Sequence, residues 1–243
     1  MKEKIIVTGS NGQLGKTLVS MLLDYGYEII GVDLEHNVDQ KKIPGYSRIA
    51  LDISNEKSVE AFFKSLDGKN SITGLVNNAG IAVFTSLEER SYAEIKSVMD
   101  VNIAGTILMT KNFMKATKGS LLPIRVVNLG SIYGEVAPDL SIYGDTPRMS
   151  SEIYGMTKAA IINFTKYLTS FYKGSNARFN CVSPGGIEFN QGPEFKKKYN
   201  AKVPLERMAD VKEISEVICF LLSEKSSYIN GENIFTDGGF TKW

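Results

Sequence analysis

The chain is almost without histidine and cysteine: His36 is the single histidine, and Cys181 and Cys219 are the two cysteines, in 243 residues. Cys/His zinc clusters and a disulfide framework are thereby excluded, and no metal is expected in a functional site. A Ser-His-Asp hydrolase would rest wholly on His36, which is expected on a surface loop without a catalytic role. Acid–base chemistry therefore falls to tyrosine, lysine or carboxylates. Two unpaired cysteines fit a reducing compartment, as small core residues. An excess of one charge is missing as well, since 28 basic against 27 acidic residues leave a net +1. Such a balance provides no basic face for nucleic acid or an anionic membrane. The N-terminus has only three consecutive strongly apolar residues, Ile5-Ile6-Val7, too few for a secretory signal. No stretch approaches the roughly eighteen apolar residues of a membrane span. A cytoplasmic protein acting on a small molecule is the expectation.

What the chain does have is alternation. Short runs rich in Ile and Val read as strands: Ile5 to Thr8, Glu28 to Asp33, Arg48 to Asp52, Ile72 to Asn77, Pro123 to Asn128, Ala177 to Val182 and Glu232 to Thr236. Helical patterns fill the gaps. Leu14, Leu18, Met21 and Leu22 fall on one helix face, and longer helices are expected from about Leu87 to Lys118 and Ser150 to Tyr172. Strand–helix alternation calls for a parallel sheet covered on both faces. The expected fold is α/β: one Rossmann-like, doubly wound parallel sheet of about seven strands in a single unit, residues 1–243.

Such a sheet binds ligands beyond the carboxyl ends of its strands. The first strand-to-helix turn reads Thr8-Gly9-Ser10-Asn11-Gly12-Gln13-Leu14-Gly15. Glycines there permit a tight turn, close approach of a pyrophosphate and close helix packing, while the helix start presents free N–H groups. Asp33 closes the second strand, followed by Leu34, where a carboxylate accepts hydrogen bonds from the adenosine ribose and repels the 2′-phosphate of NADP. NAD is favoured over NADP.

These residues resemble the short-chain dehydrogenase/reductases, and the resemblance runs almost end to end. Asn77-Asn78-Ala79-Gly80 is similar to the family's Asn-Asn-Ala-Gly segment beside the cofactor, and Asp52-Ile53 sits where the family contacts adenine. Asn102 matches the asparagine of a proton-relay water, Ser131 the catalytic serine, Tyr154 and Lys158 the Tyr-x-x-x-Lys pair, and Pro184-Gly185-Gly186-Ile187 the loop beside the nicotinamide. Tyr-x-x-x-Lys alone arises by chance about once in such a chain. Its rival, Tyr92 to Lys96, lacks the upstream serine and the downstream Pro-Gly loop and is assigned to a solvated helix face.

At i and i+4, Tyr154 and Lys158 share a helix face, and an ammonium beside a phenol favours the phenolate. The resemblance implies that Tyr154 exchanges the substrate's hydroxyl proton, that Ser131 holds the substrate oxygen, that Lys158 also binds the nicotinamide ribose, and that Asn102 completes the relay. It also implies a homodimer or homotetramer formed through the two long helices.

Three departures refine this reading. The glycine spacing resembles the extended members acting on nucleotide sugars. Ser131 and Tyr154 stand 23 residues apart, about ten more than usual in the short members, which leaves an insert near 133–150. Phe189 replaces a threonine that often contacts the carboxamide. Asp139, Tyr143, Asp145 and Arg148 of the insert are suited to a polyhydroxyl or phosphate-bearing ligand, unless the insert is simply packing. A substrate lid is expected near 188–207, where Lys196, Lys197 and Lys198 read first as a solvated helix face and second as an anion trap. The combination resembles dehydrogenases of flagellin-modification and nonulosonic-sugar clusters. The expected activity is NAD-dependent interconversion of a secondary alcohol and a ketone on a sugar or sugar derivative. The alternatives are 3-oxoacyl-thioester reduction and a catalytically silent nucleotide sensor.

Overall fold

A computed structural model describes residues 2–35, 42–144 and 149–242. His36, Asp145 and Arg148 lie outside the described residues. Seven strands form one parallel sheet: β1 (Lys4–Thr8), β2 (Glu28–Asp33), β3 (Tyr46–Ala50), β4 (Ile72–Asn77), β5 (Ile124–Leu129), β6 (Ala177–Pro184) and β7 (Asn233–Thr236), in the order β3-β2-β1-β4-β5-β6-β7. The order reverses between β1 and β4, so their carboxyl ends flank a crevice.

Each inner strand is buried on both faces, as parallel sheets require. Ile5 and Val7 join one core with Val76 and Val127, while Ile6, Leu75 and Val126 join the other. Helices α1 (Gln13–Asp24) and α7 (Val211–Leu222) cover the first face; α2 (Glu56–Ser65), α4 (Thr106–Ala116) and α5 (Glu152–Phe171) cover the second. On α1, Leu18 and Leu22 are fully buried, each contributing roughly 1.5–3 kcal/mol. The remaining helices are α3 (Tyr92–Met99) and α6 (Pro193–Asn200).

Two expected elements differ. The third strand runs two residues earlier than expected, because Tyr46 pairs with Ile29 and the chain leaves the sheet after Ala50. Asp52 then accepts bonds from Ser54 N and Oγ, turning the chain toward α2. The long helix from Leu87 to Lys118 starts later and is interrupted. Ser91 and Glu94 close a reciprocal capping box at the start of α3, and a π-helical turn, Asp100–Gly105, separates α3 from α4. Gly105 lies so near Ile53 that a Cβ there would come within 2.8 Å of its Cδ1. Asn102, the residue singled out from the sequence, is buried within this π turn.

A satellite apolar cluster sits beyond the β6 end of the crevice. It unites Ile142 of the insert with Tyr199 of α6, Val203 and Met208, and Tyr143, Phe195 and Phe240 pack against it.

Candidate active site

The glycine turn is built for close approach. Gly9 has φ +64, and a Cβ on Gly15 would lie 2.1 Å from Gly9 O, so α1 presses directly on the turn. The N-cap Gly12 provides no side-chain bond to α1, whose first turn also has no acidic residue. Its leading N–H groups are thus available to an anion. Asn78 Nδ2 donates to Thr8 O (2.9 Å) and Gly9 O (3.0 Å), holding the turn from the β4 side. Asp33 accepts from Asn11 N (2.8 Å) and Leu34 N (2.9 Å), which fixes the carboxylate at the end of β2. A cavity of about 550 Å³ follows, lined by the glycine turn, Asp33, Leu34, Asp52, Ile53, Asn78, Ala79 and Gly80.

Two sequence-selected residues face elsewhere. Asn77 is buried in the sheet, donating to Thr110 Oγ1 (2.9 Å) and Asn128 Oδ1 (2.8 Å). Ser10 is buried, and a Cβ on Gly31 would come within 2.8 Å of its Oγ, so it supports β2 from within. Val32, Leu51, Ser54, Ile81 and Val101 also line the cavity and were not selected. Leu51 and Ser54 flank the chosen Asp52-Ile53, and that adjacency was the available signal.

A smaller cavity of about 200 Å³ is lined by Leu14, Asn78, Gly80, Gly130, Ser131, Tyr154, Lys158, Pro184, Gly185 and Ile187. It brings together three of the four residues chosen as catalytic. Ser131 leaves β5 in extended backbone and its Oγ accepts from Tyr133 N (3.2 Å). Tyr154 and Lys158 project from α5, whose N-cap Ser151 accepts from Tyr154 N. The buried Arg90 pairs with Glu152 at 2.9 Å and anchors the helix start. Lys158 donates to Leu129 O (2.8 Å), and its Nζ stands 5.5 Å from the Tyr154 ring centroid. Asn102 is buried behind them. It exchanges bonds with the Ile81 backbone (2.8 and 3.0 Å) and donates to Thr157 Oγ1 (3.0 Å), which in turn donates to Tyr154 O (2.8 Å). A Cβ on Gly80 would meet both Asn102 Oδ1 (3.3 Å) and Lys158 Nζ (3.5 Å), so these side chains converge on one point.

The third cavity, about 840 Å³, opens beside Ser131 and Tyr154. Its walls include Phe84, Tyr133, Ile142, Tyr143, Phe195, Tyr199 and Met208, with Gln13, Ser150, Asn190, Gln191 and Glu194 supplying polar groups. No lysine or arginine lines it among the described residues. Tyr133 and Tyr143 hydroxyls meet at 3.2 Å. Burial, then the neighbouring Tyr143, raises the Tyr133 phenol above its ordinary pKa, and burial pushes Tyr199 up to about 12, so both remain neutral hydroxyls.

The insert is committed to structure more than its polar residues suggested. Asp139 accepts from Ser141 N (3.0 Å) and Oγ (2.6 Å) and pairs with Lys202 at 2.9 Å. The Lys196 ammonium meets Glu188 at 2.8 Å and Lys198 meets Glu194 at 3.7 Å, and neither is among the described residues that line the aromatic cavity. The solvated-face reading of that run is the one the geometry favours. Tyr92 is exposed and Lys96 pairs with Asp100, in keeping with a solvated face for the rival Tyr-x-x-x-Lys.

Fold and crevice define a protein of the Rossmann-like class. Residues 12–241 match the family model described as Enoyl-(Acyl carrier protein) reductase. A short-chain dehydrogenase from Leptospira borgpetersenii, solved with bound NAD+, superimposes with a TM-score of 0.93 at 38% identity, covering 99% of this chain and 93% of that one. A 3-oxoacyl-[acyl-carrier-protein] reductase of Aquifex aeolicus is 30% identical over 97% of this chain and 86% of its own length. Post-translational flagellin modification protein A of Campylobacter coli is 28% identical over 99% of both chains. The chain belongs to the short-chain dehydrogenase/reductase family, an oxidoreductase family acting on CH–OH or carbonyl groups.

Proposed function

We propose that this chain is an NAD-dependent oxidoreductase that interconverts a secondary alcohol and a ketone on a small, uncharged polar substrate, a sugar or sugar derivative. The observation that carries the reading is the convergence of Ser131, Tyr154 and Lys158 in one small cavity between the glycine-turn cavity and the aromatic one. The residues fit the dinucleotide: a Gly9-Gly12-Gly15 turn open to backbone approach, a helix start with unclaimed N–H groups, and Asp33 at the ribose end. Neither lysine nor arginine lines that end among the described residues, while Asp33 and Asp52 do. A 2′-phosphate there would meet two carboxylates, which favours NAD over NADP.

When bound, the nicotinamide supplies the hydride acceptor or donor. Ser131 Oγ donates to the substrate oxygen and fixes it beside Tyr154. Tyr154 Oη takes the hydroxyl proton during oxidation and returns it to the carbonyl oxygen during reduction. The Lys158 ammonium stabilises the phenolate electrostatically. Asn102 holds Ile81 and, through Thr157, the backbone of Tyr154, so it keeps the α5 face in register with the cleft.

Aromatic walls suit the C–H faces of a sugar ring, and the amides and hydroxyls around them suit its hydroxyl groups. Among the described residues no lysine or arginine lines the aromatic cavity, which favours a sugar over a phosphate-bearing substrate or an acyl carrier's phosphopantetheine. The segment 188–207, which contains α6, serves as the substrate lid. We place the protein in the cytoplasm and assign it a homo-oligomeric state. A Tyr154→Phe variant tests the chemistry with NAD and a panel of neutral sugars and N-acylated sugar derivatives. Turnover falls at least 100-fold while NADH affinity, measured by fluorescence, stays within about twofold, in line with loss of a general acid–base. Unchanged turnover with intact cofactor binding overturns the mechanism.

A further inference from the structure

The Gln13 side chain of the glycine turn reaches across the crevice. Its Nε2 donates to Glu188 O at 2.7 Å, joining residues 175 apart in the chain. The two ends of this bond belong to opposite walls. Leu14, beside Gln13, and Ile187, beside Glu188, both line the small cavity holding Tyr154 and Lys158, and Gln13 itself lines both larger cavities. The acceptor side is braced. Glu188 N donates to Ala209 O (2.9 Å), Gln191 Nε2 donates to Ile187 O (2.9 Å), and the Glu188 carboxylate pairs with Lys196 of α6 at 2.8 Å. A continuous polar path thus runs from the start of α1 through Gln13 and Glu188 to the lid helix.

We infer that Gln13 is a positioning residue that clasps the lid to the dinucleotide turn, so that the dinucleotide leaves only when this bond opens. The inference rests on the cofactor reading above and adds a role for a residue that touches no reacting atom. It assigns Gln13 two effects. Cofactor release slows by the contribution of one hydrogen bond, and the lid helix is ordered while cofactor occupies the crevice. Neither effect requires a change in the chemistry at Tyr154.

The test uses Gln13→Met, which keeps length and shape but cannot donate, and Gln13→Asn, which keeps the amide but loses a methylene of reach. NADH release is followed by stopped-flow fluorescence. Trypsin cleavage after Lys196, Lys197 and Lys198 is followed by mass spectrometry with and without NADH, and the melting temperature of the free protein reports folding. Expected in both variants is a release rate raised about three- to tenfold, the range of a single hydrogen bond, with association within twofold of the native chain. NADH should protect the three lysyl bonds in the native chain and fail to do so in the variants. A release rate unchanged in either variant, or protection that survives, overturns the clasp. If the native chain itself binds no NADH, the cofactor reading falls together with the clasp, which distinguishes that failure from an idle Gln13.

Discussion

Gly12 and Gly15 stand three residues apart in one turn, yet the structure assigns them different work, and alanine separates the two roles. At Gly15 a Cβ would lie 2.1 Å from Gly9 O and 2.8 Å from Ser10 Cα, both backbone atoms that no rotamer change can move. Overpacking of this kind costs about 3 kcal/mol or more. Alanine in a helix gains about 1 kcal/mol over glycine, so the net loss is about 2 kcal/mol. For a chain of this size that lowers Tm by about 4–8 °C. At Gly12 the backbone is extended, with φ −69 and ψ 172, which alanine adopts freely, and its Cβ would meet only Gly9 O at 3.3 Å. Gly12→Ala should therefore leave the free protein within about 1 °C of the native Tm, because a neighbour need yield only a few tenths of an ångström. Its methyl group instead projects where the pyrophosphate must approach the turn, and NADH affinity should fall at least tenfold. Differential scanning fluorimetry of the free protein and NADH fluorescence titration read the two effects separately. The reasoning is refuted if Gly12→Ala loses as much Tm as Gly15→Ala, or if it binds NADH as tightly as the native chain.

Two further outcomes follow from local strain and charge. Glu206 has φ 54, a left-handed conformation that costs a side-chain-bearing residue about 1–2 kcal/mol. Glu206→Gly removes that cost but frees the unfolded chain by about 0.5–1 kcal/mol, leaving a gain of about 0.5–1 kcal/mol; Glu206→Val should lower Tm. Acid should loosen two exposed tethers together. Hydrogen bonds from Ser141, then Lys202, lower Asp139 to about 2, and the Arg207 guanidinium with the Asp210 backbone lowers Glu213 to about 2. Both folded-state values lie below the unfolded ones near 4, so the stabilisation is present above pH 4 and disappears as pH falls toward 2. In Asp139→Asn the Tm should lose less between pH 4 and 2 than in the native chain; an identical decline refutes the assignment.

Much of the candidate site was legible because its residues are local in sequence. The glycine turn, Asp33, and the Tyr154–Lys158 pair each lie within one strand end or one helix face, where spacing alone puts the groups together. The strands β1, β2 and β4 were legible for the same reason, since continuous Ile/Val runs have few other uses. Features formed between distant segments were not. Nothing in Asp100–Gly105 marks a π turn, and the close packing of Ile53 on Gly105 joins two separate elements. Asp139 looked like a ligand-binding carboxylate, and the competing use as a cap for Ser141 with a tether to Lys202 becomes visible only in three dimensions. The Gln13–Glu188 bond is of the same kind, a polar contact between residues that no short-range pattern connects.

The satellite cluster around Ile142, Tyr199, Val203 and Met208 has a consequence for how such a chain changes over time. It draws on the insert, α6 and the Phe240 tail, and its buried members belong to neither of the two cores that clamp the sheet. A mutation within it reshapes the aromatic cavity while the strands that carry Asp33 and Ser131 keep their own packing. Selection can therefore rewrite which molecule is accepted without renegotiating how the dinucleotide is held. An engineer can use the same seam, grafting insert, α6 and tail together as one exchangeable cassette.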